Sequence, residues 1–106
     1  MNVKIITADN VPDLEITQTL GMVRGNVVRA RFFGRDILAG LRMIVGGEIN
    51  EYTKLMAEAR EQALDRMIKN AESIGADGIV TVRFTTSMVM QGAAEILVTG
   101  TAVKLK

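Results

Sequence analysis

NEYTKLMAEAREQALDRMIKNAESI, residues 50–74, is the stretch that decides how the rest of the chain is read. Leu55, Ala59, Ala63, Met67, Ala71 and Ile74 recur at steps of three or four, the repeat of one helical face. Met56, Leu64 and Ile68 widen the stripe, and Glu51, Lys54, Glu58, Glu61, Asp65, Arg66 and Lys69 fill the opposite face. No Gly or Pro interrupts it, and Ala, which costs least in a helix, is frequent. Asn50 suits the N-cap, Glu51 sits at the positive end of the dipole, and Gly75 offers a left-handed C′ residue. At 1.5 Å per residue the helix runs roughly 35–40 Å, enough to cross a sheet diagonally.

The material around it reads as that sheet. Val3 to Thr7 is a short edge-type strand, and Asp9-Asn10-Val11-Pro12-Asp13 is a turn cluster around the only proline. Strand character follows from about Glu15 to Leu20 and, after a bend, from about Gly25 to Arg31. Gly21 and Gly25 inside it signal a bulge or the close approach of another backbone. Phe33 to Val45 reads as a second, shorter helix, with Phe33, Ile37, Leu41 and Ile44 on one stripe and Leu38 and Val45 outside it. So apolar a helix packs under the long one or meets a neighbouring subunit; a thin core favours the neighbour. Gly46-Gly47 is a turn, without the flanking strand or Lys-Ser/Thr of a phosphate loop.

Beyond the long helix, Ile79 to Thr86 alternates as a half-buried strand, Val80, Val82 and Phe84 facing one way. Ser87 to Ala93 reads as the hairpin connection, leaving Met88 and Met90 exposed unless a partner covers them. Ala94 to Leu105 is the last strand. Ile96, Val98 and Ala102 against Leu97, Val103 and Leu105 predict apolar cover on both faces, and Gly100 allows a close approach.

Composition bounds the function. The 106 residues make one domain, 1–106, small enough that its core is thin. Thirteen basic and 12 acidic residues leave a net charge of +1, which argues against general nucleic-acid binding. The local basic bias, Arg24, Arg29, Arg31, Arg35 and Arg42, is explained by a solvated strand face or an inter-subunit ion-pair site. The chain has no Cys and no His, which removes thiolate chemistry, the usual zinc and copper ligands and the common nucleophilic triads. Met1 to Ile6 lacks a signal-peptide plan and no apolar run reaches membrane-spanning length, so the expected location is cytoplasmic, without membrane contact.

Several segments together resemble a known family. They are Leu20-Gly21-x-Val23-x-Gly25, Phe33-Gly34-Arg35-Asp36-Ile37-x-Ala39-Gly40-Leu41-Arg42, Ile44-Val45-Gly46-Gly47, Tyr52, Ala59-Arg60, Ala63, Gly75-Ala76-Asp77, Val80 and Gly100-Thr101-Ala102-Val103. In this order, over nearly the whole chain, they resemble the YbjQ-like family of small bacterial and archaeal proteins, which carries a heavy-metal-binding label. The resemblance implies an α+β subunit similar to the dodecin type, with an antiparallel sheet packed on one long helix and a second shorter helix. It also implies a ring-shaped homo-oligomer, typically a homopentamer. Closed symmetry would cover strand edges that a lone subunit leaves open.

The metal label meets this chain with no soft protein ligand of the Cys or His kind, so no metal site is assigned. Carboxylates remain, with Asp36 and Glu48 as candidates and Glu51, Asp77 and Glu95 behind them; they suit Mg, Ca or Mn. Glu58, Glu61 and Asp65 are neighbours on a solvated helix face and make a poor acid–base pair. Flavin binding of the dodecin kind lacks a Trp to stack on the ring. The reading is therefore a non-enzymatic homo-oligomeric binding or structural module, with a carboxylate-based metal-binding protein as the alternative. The candidate constellation is Asp36, Arg42, Gly46, Gly47 and Tyr52, at the junction of the two predicted helices. It is either a satisfied interface network or the lining of a polar pocket between subunits.

Overall fold

The computed structural model describes residues 3–30, 44–45 and 48–106, with only the backbone of 44–45 and 48–52. Its elements are β1 (Lys4–Ile5), β2 (Ile16–Ala30), β3 (Ile44–Val45), β4 (Glu48–Ile49), α1 (Asn50–Ser73), β5 (Gly78–Met90) and β6 (Ala93–Leu105). The predicted long helix is present, and the fold is α+β. The predicted second helix falls outside the described residues except for its last two. These are not helical: Ile44 and Val45 pair antiparallel with Ile49 and Glu48. The pair of strands brackets Gly46 and Gly47, and its β-branched residues Ile44, Val45 and Ile49 suit a strand better than a last helical turn.

The main sheet has the order β1-β5-β6-β2. β5 and β6, and β6 and β2, are antiparallel, but β1 joins β5 in parallel, so the sheet is mixed rather than antiparallel. The parallel start is held by Ile6 N–H donating to Ile79 O at 2.9 Å and Val82 N–H donating to Ile6 O at 3.2 Å. That pairing depends on partners more than seventy residues apart, which no local pattern encodes.

α1 crosses mainly over β2 and more lightly over β6. Ala59, Ala63, Met67 and Ala71, one i, i+4 row, are fully buried against Val23, Val27, Ile96, Val98 and Ala102. Small residues dominate the row because the helix sits close to the sheet. A Cβ on Gly25 would lie 2.6 Å from the backbone nitrogen of Met67, and closer still to the Ala63 carbonyl oxygen. Gly25 is thus a point of backbone contact, and Gly21 (φ +119°) marks a register shift. Neither breaks the strand: β2 is one continuous element, not the two expected.

The helix stops at a Schellman motif. Ala76 N–H donates to Ala71 O and Gly75 N–H to Glu72 O, with Gly75 at φ +77°. Ala71 and Ala76 are both buried, the apolar contact that accompanies this cap. Ile74 belongs to the cap rather than the stripe and is exposed.

β5 corrects a second expectation. Val80 lies opposite Thr101 and Arg83 opposite Thr99, so three steps on β5 match two on β6. The extra residue is a bulge at Thr81, whose φ of +55° is unusual for a β-branched side chain. Thr81 is held by its N–H to Ala8 O at 2.9 Å and its hydroxyl to Asp9 Oδ1 at 3.1 Å. The bulge sends Val80 and Val82 to different places. Val82 joins Ile79 under the helix, while Val80 packs with Val11 and Val103 in a second, smaller core closed by Ile6, Ile16 and Leu105. Phe84, expected to share their face in the core, is exposed. Gly100 lies across from the bulge, where a Cβ would meet Val80 O and Val82 Cγ2 at 3.2 Å and Ile79 Cγ2 closer. β6 is buried on its α1 face, and its other face is closed only toward its end, where Val103 and Leu105 join the smaller core. The hairpin is shorter than expected: β5 continues to Met90, and Gln91 and Gly92 (φ +80°) alone connect it to β6.

Candidate functional site

The two flanks of the sheet are finished differently. β2 has β6 on one side. On the other, α1 reaches down: Arg66 Nη1 donates to Asn26 O at 2.7 Å, and Arg24 N–H donates to Asn70 Oδ1 at 3.4 Å. Arg29 Nη2 is bonded to Gln62 Oε1 at 2.6 Å. Helix side chains therefore occupy backbone groups that a flank strand leaves open, a recognised defence against unwanted pairing.

Among the described residues, nothing defends β5 in this way over its second half. Up to Val82 its flank is covered by the N-terminal segment, and Arg83 closes that cover by donating from Nη1 to Thr7 O and Val82 O, both at 2.8 Å. From Phe84 to Met90, no described strand or side chain meets the flank. The sequence there, Phe84-Thr85-Thr86-Ser87-Met88-Val89-Met90, contains no charge, no Gly and no Pro. Phe84 is 47% exposed, Met88 70% and Met90 62%. An apolar, uncharged strand with an open edge is what sheet proteins normally avoid. The exposed Met88 and Met90 were legible in the sequence. The edge that no described strand pairs was not, because it depends on how short β1 is.

Of the residues singled out from the sequence, Asp36, Arg42, Gly46 and Gly47 lie outside the described residues. Glu48 falls on β4, opposite Val45, and Tyr52 in the first turn of α1, so the β3–β4 pair leads directly into the helix. Two other carboxylates are engaged by the fold. Asp77 Oδ2 accepts from Leu105 N–H at 3.0 Å and Glu95 Oε2 from Asn26 Nδ2 at 3.2 Å. Asp65 pairs with Lys69 at 3.1 Å on the exposed helix face, a contact worth little. Among the described residues, no three His, Cys, Asp or Glu side chains come together as a metal site. Also among them, no helix is long and apolar enough to cross a membrane.

Comparison with known proteins places this architecture. A family model described as "Putative heavy-metal-binding" matches residues 3–106. A "UPF0145 protein" of Methanosarcina acetivorans is 57% identical over 101 residues, covering 95% of each chain. One of Archaeoglobus fulgidus is 58% identical over 102 residues, covering 96% of this chain and 94% of its own. A crystal structure of a protein of unknown function of the DUF74 family from Pediococcus pentosaceus superposes with a TM-score of 0.65, at 15% identity over 98% of both chains, a likeness of fold alone. Thiolate and imidazole, two donors that heavy metals prefer, do not occur in this sequence, which leaves methionine thioethers as its soft donors. On the extent of the match and the identity to its relatives, the chain belongs to the YbjQ-like family.

Proposed function

We propose that this protein is a homo-oligomeric, non-enzymatic binding or structural module whose subunits join by adding strands to one another's sheets. The observation that carries the reading is the β5 edge from Phe84 to Met90, which no described strand pairs. An unpaired edge offers a row of backbone donors and acceptors, and here nothing charged repels an incoming strand. Size supports it too. The radius of gyration is 17.1 Å, against roughly 13 Å for a compact domain of this length, and the chain extends 53 × 25 × 21 Å. A subunit this elongated, with α1 over two strands, has more surface to cover than it covers alone.

The partner element we favour is the β3–β4 pair of a second copy. Two strands of two residues each are marginal by themselves and gain most from joining a larger sheet. Such a contact joins different surfaces on the two subunits, so it is heterologous and closes into a ring if the rotation allows. Five subunits is the number that the family resemblance implies. The arrangement also brings the β3–β4 pair of one subunit beside β5 of the next. That makes the boundary a natural place for a small ligand.

Hydrogen exchange along β5 tests the reading. Strand addition predicts slow exchange at successive amides from Phe84 to Met90, on both sides of the strand. Fast exchange at alternate amides, the pattern of a strand paired only with β6, would contradict it. Met88→Lys places a charge on the edge without touching the core and should restore the alternating pattern.

A further inference from the structure

Resting on that assembly, we infer that the β5 edge makes it sensitive to peroxide through Met88 and Met90. The chain has no Cys, so thioethers are its only sulfur. Among the described methionines, Met67 on α1 is fully buried against the sheet, while Met88, Met90 and Met22 are 70%, 62% and 67% exposed in the subunit. Two of these three lie within one uncharged seven-residue strand that a neighbour must cover. Met22 lies elsewhere, on the β2 face turned away from the core, between Gly21 and the buried Val23.

The chemistry is an oxygen transfer. The thioether sulfur attacks one oxygen of hydrogen peroxide, the O–O bond breaks, and the second oxygen leaves as water after proton transfer. Sulfur is oxidised to the sulfoxide and the peroxide is reduced to water. The product is polar and sits where the edge must be dry to pair. Its S=O is a strong acceptor and competes with the backbone carbonyls for the incoming strand's N–H groups. Oxidation thus captures subunits whose edge is open and keeps them from rejoining. The assembly falls as open subunits are drawn off, and reduction of the sulfoxides restores it.

The test treats the purified full-length protein with hydrogen peroxide and follows assembly by native mass spectrometry and each methionine by peptide mapping. The expected result is loss of the assembled form in step with oxidation of Met88 and Met90. Met67 should remain reduced, and enzymatic sulfoxide reduction should restore the assembled form. The double variant Met88→Leu, Met90→Leu should assemble and lose nothing under the same treatment, even as Met22 oxidises. Intact assemblies carrying oxidised Met88 would overturn the inference. So would equal dissociation of the Leu variant, or oxidation confined to Met22. A chain that is monomeric before peroxide is added refutes the assembly as well, which separates the two failures.

Discussion

Replacing Gly25 by Ala probes the closest contact in the fold. The new Cβ would lie 2.6 Å from the Met67 backbone nitrogen and nearer still to the Ala63 carbonyl oxygen. Both are helix backbone, so no rotamer change relieves the clash, and α1 must withdraw from β2 by clearly more than about 1 Å before the Ala63 oxygen reaches ordinary contact distance. That gap opens along Ala59, Ala63, Met67 and Ala71, all fully buried, and costs each about half or more of its dispersion contacts with the sheet. Overpacking of this kind costs about 1–3 kcal/mol, and a backbone clash belongs at the upper end. Against it stands about 0.4–1 kcal/mol gained because Ala restricts the unfolded chain. The net expectation is a loss of about 2 kcal/mol, some thirtyfold in the folding equilibrium. Urea unfolding followed by far-UV circular dichroism, at fixed subunit concentration, measures it. Gly21→Ala is the control, since a Cβ there meets nothing within 4 Å and only its φ of +119° is strained. A Gly25→Ala variant within about 0.5 kcal/mol of the parent would refute the close helix–strand contact, because surface changes alone fall in that range.

Thr81→Asn keeps a polar side chain and tolerates the left-handed bulge, so stability should hold or rise by up to about 1 kcal/mol; Thr81→Val, equally β-branched, should cost about 1 kcal/mol by losing the Asp9 bond. Thermal melts of the pair check the sign. Gly75→Ala should cost about 1 kcal/mol by straining the Schellman cap, seen as a lowered urea midpoint with unchanged slope. Arg66→Ala should uncover Asn26 O and reopen the β2 flank, costing about 1 kcal/mol and, by light scattering, raising non-specific aggregation.

Much of the fold was legible where the cause is local. The α1 stripe, the Gly75 cap and the buried face of β6 follow from periodicity and from residue types with one conformational use. Features that depend on distant partners were hidden. Gly21 and Gly25 look alike in sequence, yet one relieves a bulge and the other a helix contact, and together they suggested a break that β2 does not have. Thr81 gives no sign of a left-handed bulge, so Val80 and Val82 were placed on one face. The parallel β1–β5 pairing likewise has no local signature. The site was harder still. Asp36, Arg42, Gly46, Gly47, Glu48 and Tyr52 stand out in the sequence because charged, phenolic and glycine residues carry the chemistry that is easiest to read. The β5 edge is marked instead by what its sequence lacks, and a missing charge becomes informative only once the strand's neighbours are known.

Native mass spectrometry of the wild type beside Met88→Lys tests the central claim most directly. The account predicts one closed stoichiometry for the wild type and folded monomers for Met88→Lys. A monomeric wild type, or a Met88→Lys variant that assembles equally well, would contradict it.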